Sequence, residues 1–161
     1  MDILLIFLVM ICLLVLKGFF SGCEIAMVNA DKVKLNALAG KGHKGSRMVL
    51  EEFRSPEMLL GTTLVGTNIA TIVLTTIGTL LVIQFVGDNG EWIAFLLFTP
   101  LFLILGEIVP KSVYQHRSTE IAPKAIYALR GFRFLFFPLV AVFSRLSRLA
   151  ARVFGGGHLE Q

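Results

Sequence analysis

LFLILGEIVPKSVYQ, residues 101–115, begins as a membrane helix and then admits a carboxylate at Glu107 and a helix breaker at Pro110. Proline has no N–H, and its ring crowds the carbonyl four residues earlier, here that of Gly106. The sequence therefore frees a backbone carbonyl beside a carboxylate, in a segment otherwise suited to lipid. A freed carbonyl at membrane depth must be satisfied by protein, water or an ion. An ionisable group at that depth faces a cavity or a partner.

The whole chain shares this mixture. Of its 161 residues, 55% are hydrophobic, and the mean hydropathy is +0.78, far above that of an ordinary soluble domain. Three apolar segments, at about residues 3–28, 58–86 and 92–114, each exceed the roughly 20 residues a spanning helix needs. The composition predicts an all-α integral membrane protein, multi-pass in the cell (inner or plasma) membrane, with the lipid bilayer as its surroundings. The N-terminus carries Asp2 and lacks a basic leader region, so the first segment is read as a retained span. The folded domain is expected over residues 1–154, with GGGHLEQ at 155–161 as a flexible tail.

The net charge of +4 is assigned to basic cytoplasmic loops rather than to nucleic-acid binding. Cys12 and Cys23 share one apolar segment without a CxxC spacing, so buried thiols are expected in place of a disulfide framework. Lys32, Lys34, Lys41, Lys44, Arg47 and Arg54 separate the first two segments, whereas GDNGE between the second and third has no Lys or Arg. Basic residues resume after the third. The positive-inside rule then predicts three transmembrane helices, N-terminus out and C-terminus in.

The first cytoplasmic connection has Leu35 and Leu38 at helical spacing, a Gly-rich break, then Met48, Val49 and Phe53. Helices are expected there, with His43 a solvated loop residue and no catalytic grouping among Asp31, Glu51, Glu52 and Glu57. From about residue 118, cytoplasmic-side juxtamembrane amphipathic helices are predicted. Ile121, Ala125, Ala128, Leu129 and Phe132 supply one apolar side. FLFFPLVAVF is too short to span and contains Pro138, which suggests a re-entrant or interfacial hairpin. Arg130 and Arg133, and further on Arg145, Arg148 and Arg152 beside a Leu146, Leu149, Val153 stripe, are expected to meet anionic headgroups.

Polar residues inside the spans mark the candidate site. Segment one has Ser21, Gly22 and Glu24; segment two has Gly66, Thr67 and Asn68; segment three has Gly106, Glu107, Pro110 and Lys111. By helical rise Ser21 and Glu107 lie roughly 10 Å, and Asn68 roughly 15 Å, from their cytoplasmic ends. One shared level would bring a carboxylate, an amide oxygen, a hydroxyl and a freed carbonyl together. These are hard oxygen donors, suited to Mg2+, Ca2+ or Na+. A purely structural reading stands beside this one. Asn68 and Thr67 would then hydrogen-bond between helices, Glu107 would pair with Lys111 at i+4, and Glu24 would pair with Lys111 or reach the interface. Thr62, Thr63, Thr71, Thr75 and Thr76 are expected mostly to pack or bond back to their own helix.

FFSGCEIAM, LLGTTLVGTNIA and LILGEIVPKS together resemble the three membrane motifs of the CorC/CNNM magnesium transporters, whose membrane domain is also called DUF21. The resemblance covers about residues 17–140. It implies three membrane helices followed by a helical belt, a homodimer, and a largely dehydrated Mg2+ bound between the helices, with export coupled to Na+. Carried over by motif, the metal ligands are Ser21, Gly22, Gly66, Asn68, Gly106 and Glu107, supported by Pro110 and Lys111, with Glu24 and the motif positions Cys23 and Thr67 nearby. Cys23 and Thr67 stand where the family pattern has Ser and Asn, which shifts the second segment's role to Asn68. The family's cytosolic nucleotide-binding CBS domains have no counterpart in this sequence, so regulation through them is not expected of this chain. Three functions follow: a Mg2+ exporter, a membrane anchor and dimerisation scaffold, or a proton-coupled carrier in which Glu107 titrates. No nucleophile–base pair or phosphate-cradling loop points to an enzyme.

Overall fold

The computed structural model describes residues 3–87 and 89–154, with side chains described through Val142 and at Arg145. All regular structure among them is helical: α1 (Ile3–Asn29), α2 (Lys32–Gly40), α3 (Lys44–Glu52), α4 (Pro56–Val86), α5 (Gly90–Leu103), α6 (Val109–His116) and α7 (Ser118–Phe154). A five-residue π segment, Ile104–Ile108, joins α5 to α6. The tail at 155–161 lies outside the described residues, as do the side chains of Leu146, Arg148, Leu149, Arg152 and Val153.

Local chemistry sets the boundaries. Asp31 caps α2, its Oδ1 accepting from the Val33 and Lys34 N–H groups at 2.9 and 3.1 Å. His43, exposed as expected, also caps α3, its Nδ1 accepting from the Ser46 N–H at 3.2 Å. Pro56 opens α4, where a missing N–H costs nothing. Gly87, at φ 81°, ends it in the left-handed region.

Among the described residues, four helical stretches are long and apolar enough to cross a membrane: Ile3–Asn29, Pro56–Val86, Gly90–His116 and Ser118–Val142. The first three match the expected segments. The fourth is the first part of α7, which runs unbroken through Pro123 and Pro138, so the hairpin expected at Pro138 does not form. An internal proline removes one backbone bond. The remaining turns of this 37-residue helix keep their bonds, and its apolar side is packed on α1, α3 and α4, so the helix continues through it.

α1 is central. Met10 packs with Leu74 and Phe102, and Phe20 covers Gly66, so α4 runs antiparallel to α1. Gly18 meets Pro110 and Gly22 meets Tyr114, so α6 runs in the same sense as α1. α7 starts where α1 ends: the Ser118 hydroxyl donates to the Asn29 carbonyl at 3.0 Å. Farther on, the Phe136 ring lies 6.0 Å from the Phe20 ring. Ser118 to Phe136 is about 27 Å of helix, and Asn29 back to Phe20 is about 14 Å. α7 therefore crosses α1 obliquely. Beneath it lies the main core, built from Phe20, Cys23, Ala26 and Met27 of α1, Val49 of α3, Leu59 of α4, and Ala122, Ile126 and Leu129 of α7.

Arg130 and Arg133 also depart from expectation. They face α3 rather than headgroups. The buried Glu52 carboxylate accepts from Arg130 Nε at 2.9 Å and Arg133 Nη1 at 2.8 Å. Arg130 Nη2 reaches Glu51 at 2.8 Å. Charge-assisted bonds of this kind are the strong ones. Glu52→Ala leaves two guanidinium groups without their shared partner. It should lower stability by on the order of 2 kcal/mol, read as an earlier thermal transition in detergent. The Arg130 guanidinium, hydrogen-bonded to Glu51, holds that carboxyl below the usual carboxylate range. Its contribution is complete above the unfolded value of about 4.3 and is lost as pH falls through the lower folded value. Glu51→Gln should therefore lower the melting temperature at pH 7, and the difference from wild type should vanish on acidification.

Candidate functional site

The site is a seam between α1 and the bent third segment. Leu14, Lys17, Gly18, Ser21 and Gly22 recur at i, i+3, i+4, i+7 and i+8, so they form one stripe on α1. Glycine lets the partner backbone come close. A Cβ at Gly18 would stand 2.9 Å from Pro110 Cγ, and one at Gly22 would stand 2.6 Å from the Tyr114 ring. From the other side, a Cβ at Gly106 would stand 2.8 Å from Lys17 Cδ and 3.1 Å from Leu14 Cδ1.

Pro110 acts through a change of helical register. The Val109 N–H donates to the Ile104 carbonyl, five residues back, closing a π turn in place of an α turn. Counting four residues back from Pro110 reaches Gly106, and counting five reaches Leu105. In either register, the carbonyl facing the missing donor belongs to the π turn that carries Glu107.

Charges alternate along the seam. Lys111 Nζ lies 3.1 Å from Glu107 Oε1 and 3.9 Å from Glu24 Oε2. The i+4 pairing of Glu107 with Lys111 and the pairing of Glu24 with Lys111 are thus both present. One turn deeper, Lys17 is only 4% exposed. Its Nζ donates to the Phe102 carbonyl at 3.2 Å. The charged groups that act on it are Glu107 and Lys111. In the sequence Lys17 interrupts the first apolar run. Its spacing of four from Ser21 and seven from Glu24 was the available signal.

Two hydroxyls stand out. Ser21 Oγ and Thr67 Oγ1 are buried with no hydrogen-bond partner. Other threonines of α4 bond back to their own helix, Thr62 to Met58 at 2.8 Å, Thr63 to Leu60 at 3.0 Å, Thr71 to Thr67 at 2.8 Å and Thr75 to Thr71 at 2.9 Å. Thr67 is not satisfied in this way. Ser21 follows Phe20 and Thr67 follows Gly66, and Phe20 touches Gly66, so both hydroxyls belong to one layer of the bundle. Asn68 is exposed. The expected second-segment donor is thus outside the bundle, and its neighbour Thr67 points a hydroxyl inward. Cys23 is buried and free, and Cys12 is exposed and free. Among the described residues no three His, Cys, Asp or Glu side chains group as metal ligands. Any cation held here would rest on hydroxyls, carbonyls and at most two carboxylates.

Residues 7–161 match the family model described as the cyclin M (CNNM) transmembrane N-terminal domain. The chain belongs to this family. Its relatives include the UPF0053 inner membrane protein YfjD of Escherichia coli K12, 26% identical over 140 residues, which are 87% of this chain and 33% of that protein. A UPF0053 protein of Synechocystis is 31% identical over 157 residues, 89% of this chain and 35% of that one. The polyamine export protein of E. coli K12 is 26% identical over 160 residues, 91% of this chain and 36% of that one. The chain spans about a third of the length of these curated relatives. As a CNNM-family domain with membrane-crossing helices, it is a multi-pass protein of the cell membrane.

The glycine contacts make a direct prediction. Gly22→Ala drives a methyl into the Tyr114 ring and should cost about 1–3 kcal/mol. Adding Tyr114→Leu should restore part of the loss, measured as the melting temperatures of the single and double variants.

Proposed function

We propose that this domain carries Mg2+ out of the cell in exchange for Na+, working as a homodimer with three spans, N-terminus out, and α7 as a cytoplasmic-side collar. The buried, unpartnered Ser21 hydroxyl carries the reading. It shares its α1 stripe with the residues that pack on the π turn. A polar oxygen left alone in an apolar interior costs free energy, which a bound cation would return. Glu107 supplies charge, and Thr67 supplies a second free hydroxyl. Gly22, Gly66 and Gly106 allow the close approach such a site needs. The donor set is all oxygen, as Mg2+ prefers. Asn68, exposed within α4, fits a face that meets the second copy, since polar groups in spans seek partners.

An organic cation is the second reading. Some relatives carry the name polyamine export protein, and the seam already holds an alkylammonium, that of Lys17, on a backbone carbonyl. Calorimetry on the purified chain separates the two. Mg2+ should give a saturable heat that Glu107→Gln and Ser21→Ala weaken about tenfold or more, a loss of roughly 1.4 kcal/mol each. Thr67→Val should weaken it more than Asn68→Ala does. Heat from spermidine without heat from Mg2+ would replace the metal reading with the organic one.

A further inference from the structure

The seam is already neutral without a cargo ion. Glu24 and Glu107 bring two negative charges, and Lys17 and Lys111 bring two positive ones. A divalent cation entering this low-dielectric place adds two charges with no carboxylate left to receive them, and such an imbalance is strongly unfavourable there. One of the lysines has to give way.

Lys111 is the weaker candidate. It is partly exposed, and it holds two carboxylates together from the end of the seam. Lys17 is the stronger. Its stem lies across Gly106, and its ammonium sits on the Phe102 carbonyl, a backbone oxygen one turn before Glu107. It is almost fully buried, yet among the described residues it has one hydrogen bond and no ion pair within 4.0 Å. An ammonium offers three donors, so this one is held loosely for a charge so deeply placed.

We propose that Lys17 is a tethered competitor for the transported cation. Its ammonium takes the carbonyl and the field of Glu107 that an ion would take, and ion binding proceeds only as the side chain withdraws. A tethered group competes at a fixed, high effective concentration. It therefore lowers the apparent affinity by the fraction of time it occupies the seam. This sets the affinity of the site rather than its chemistry, and it lets the seam stay neutral and dry between ions.

The proposal rests on the Mg2+ reading above, and the test keeps the two apart. Mg2+ affinity is measured by calorimetry on wild type, Lys17→Gln, Lys17→Met, Lys17→Arg and Glu107→Gln. Lys17→Gln removes the charge but leaves a polar donor on the seam, so it guards against misfolding of Lys17→Met. Lys17→Gln should tighten Mg2+ binding by about tenfold or more, and Lys17→Arg should stay near wild type. Tight Mg2+ binding that appears only in Lys17→Gln supports the same conclusion. Unchanged or weaker binding in both neutral variants, with Glu107→Gln still abolishing it, overturns the competitor role and leaves the Mg2+ site standing. Absence of Mg2+ binding in wild type and in both neutral variants overturns both.

Discussion

Everything in the seam depends on how closely α1 approaches the bent third segment. Gly18, Gly22 and Gly106 remove the side chains that would hold the two backbones apart. With the helices in contact, the four-carbon stem of Lys17 just reaches across to the Phe102 carbonyl, and Lys111 lies between Glu107 and Glu24. Larger residues at those positions would separate the charges and admit lipid between them. In a hydrocarbon medium, small residues at helix contacts do what hydrophobic burial does in water.

The ionic pattern follows from the same contact. Charges within a bundle are tolerated when they alternate in sign and lie close together. Here they alternate along the seam, from Lys17 to Glu107 to Lys111 to Glu24. The clamp between α3 and α7 repeats the principle at another place, with Arg130 between Glu51 and Glu52, and Arg133 sharing Glu52. The first arrangement surrounds the candidate site. The second fastens α3 to α7 around it.

Much of this was legible in the sequence, where run length and helical spacing decide the outcome. The first three membrane segments followed from apolar length, and the pairing of Glu107 with Lys111 followed from an interval of four. Pro110 announced a backbone disturbance, but not that a π turn would absorb it, because one missing donor is compatible with either register. Thr67 and Asn68 are adjacent, and a helix turns about 100° between neighbours. A motif that contains both cannot say which one points inward. The Glu52 clamp was hidden because its partners lie 78 and 81 residues away, with no periodic pattern to connect them. Pro138 was read as a break because proline interrupts helices in water. In α7 the lost bond is one among those of a 37-residue helix whose apolar side is held by the core.

A single residue, Arg117, separates α6 from α7. Ser118 and Thr119, which follow it, are tied to the end of α1, Ser118 through the Asn29 carbonyl and Thr119 through the Asp31 N–H. This makes a pivot with a short arm and a long arm. The short arm is α6 with Pro110 and the π turn, and the long arm is α7, gripped by α3 through two arginines. Turning the long arm would twist the short one inside the bundle. The same joint would carry torque the other way, from an ion settling beside Glu107 out to the surface of α3.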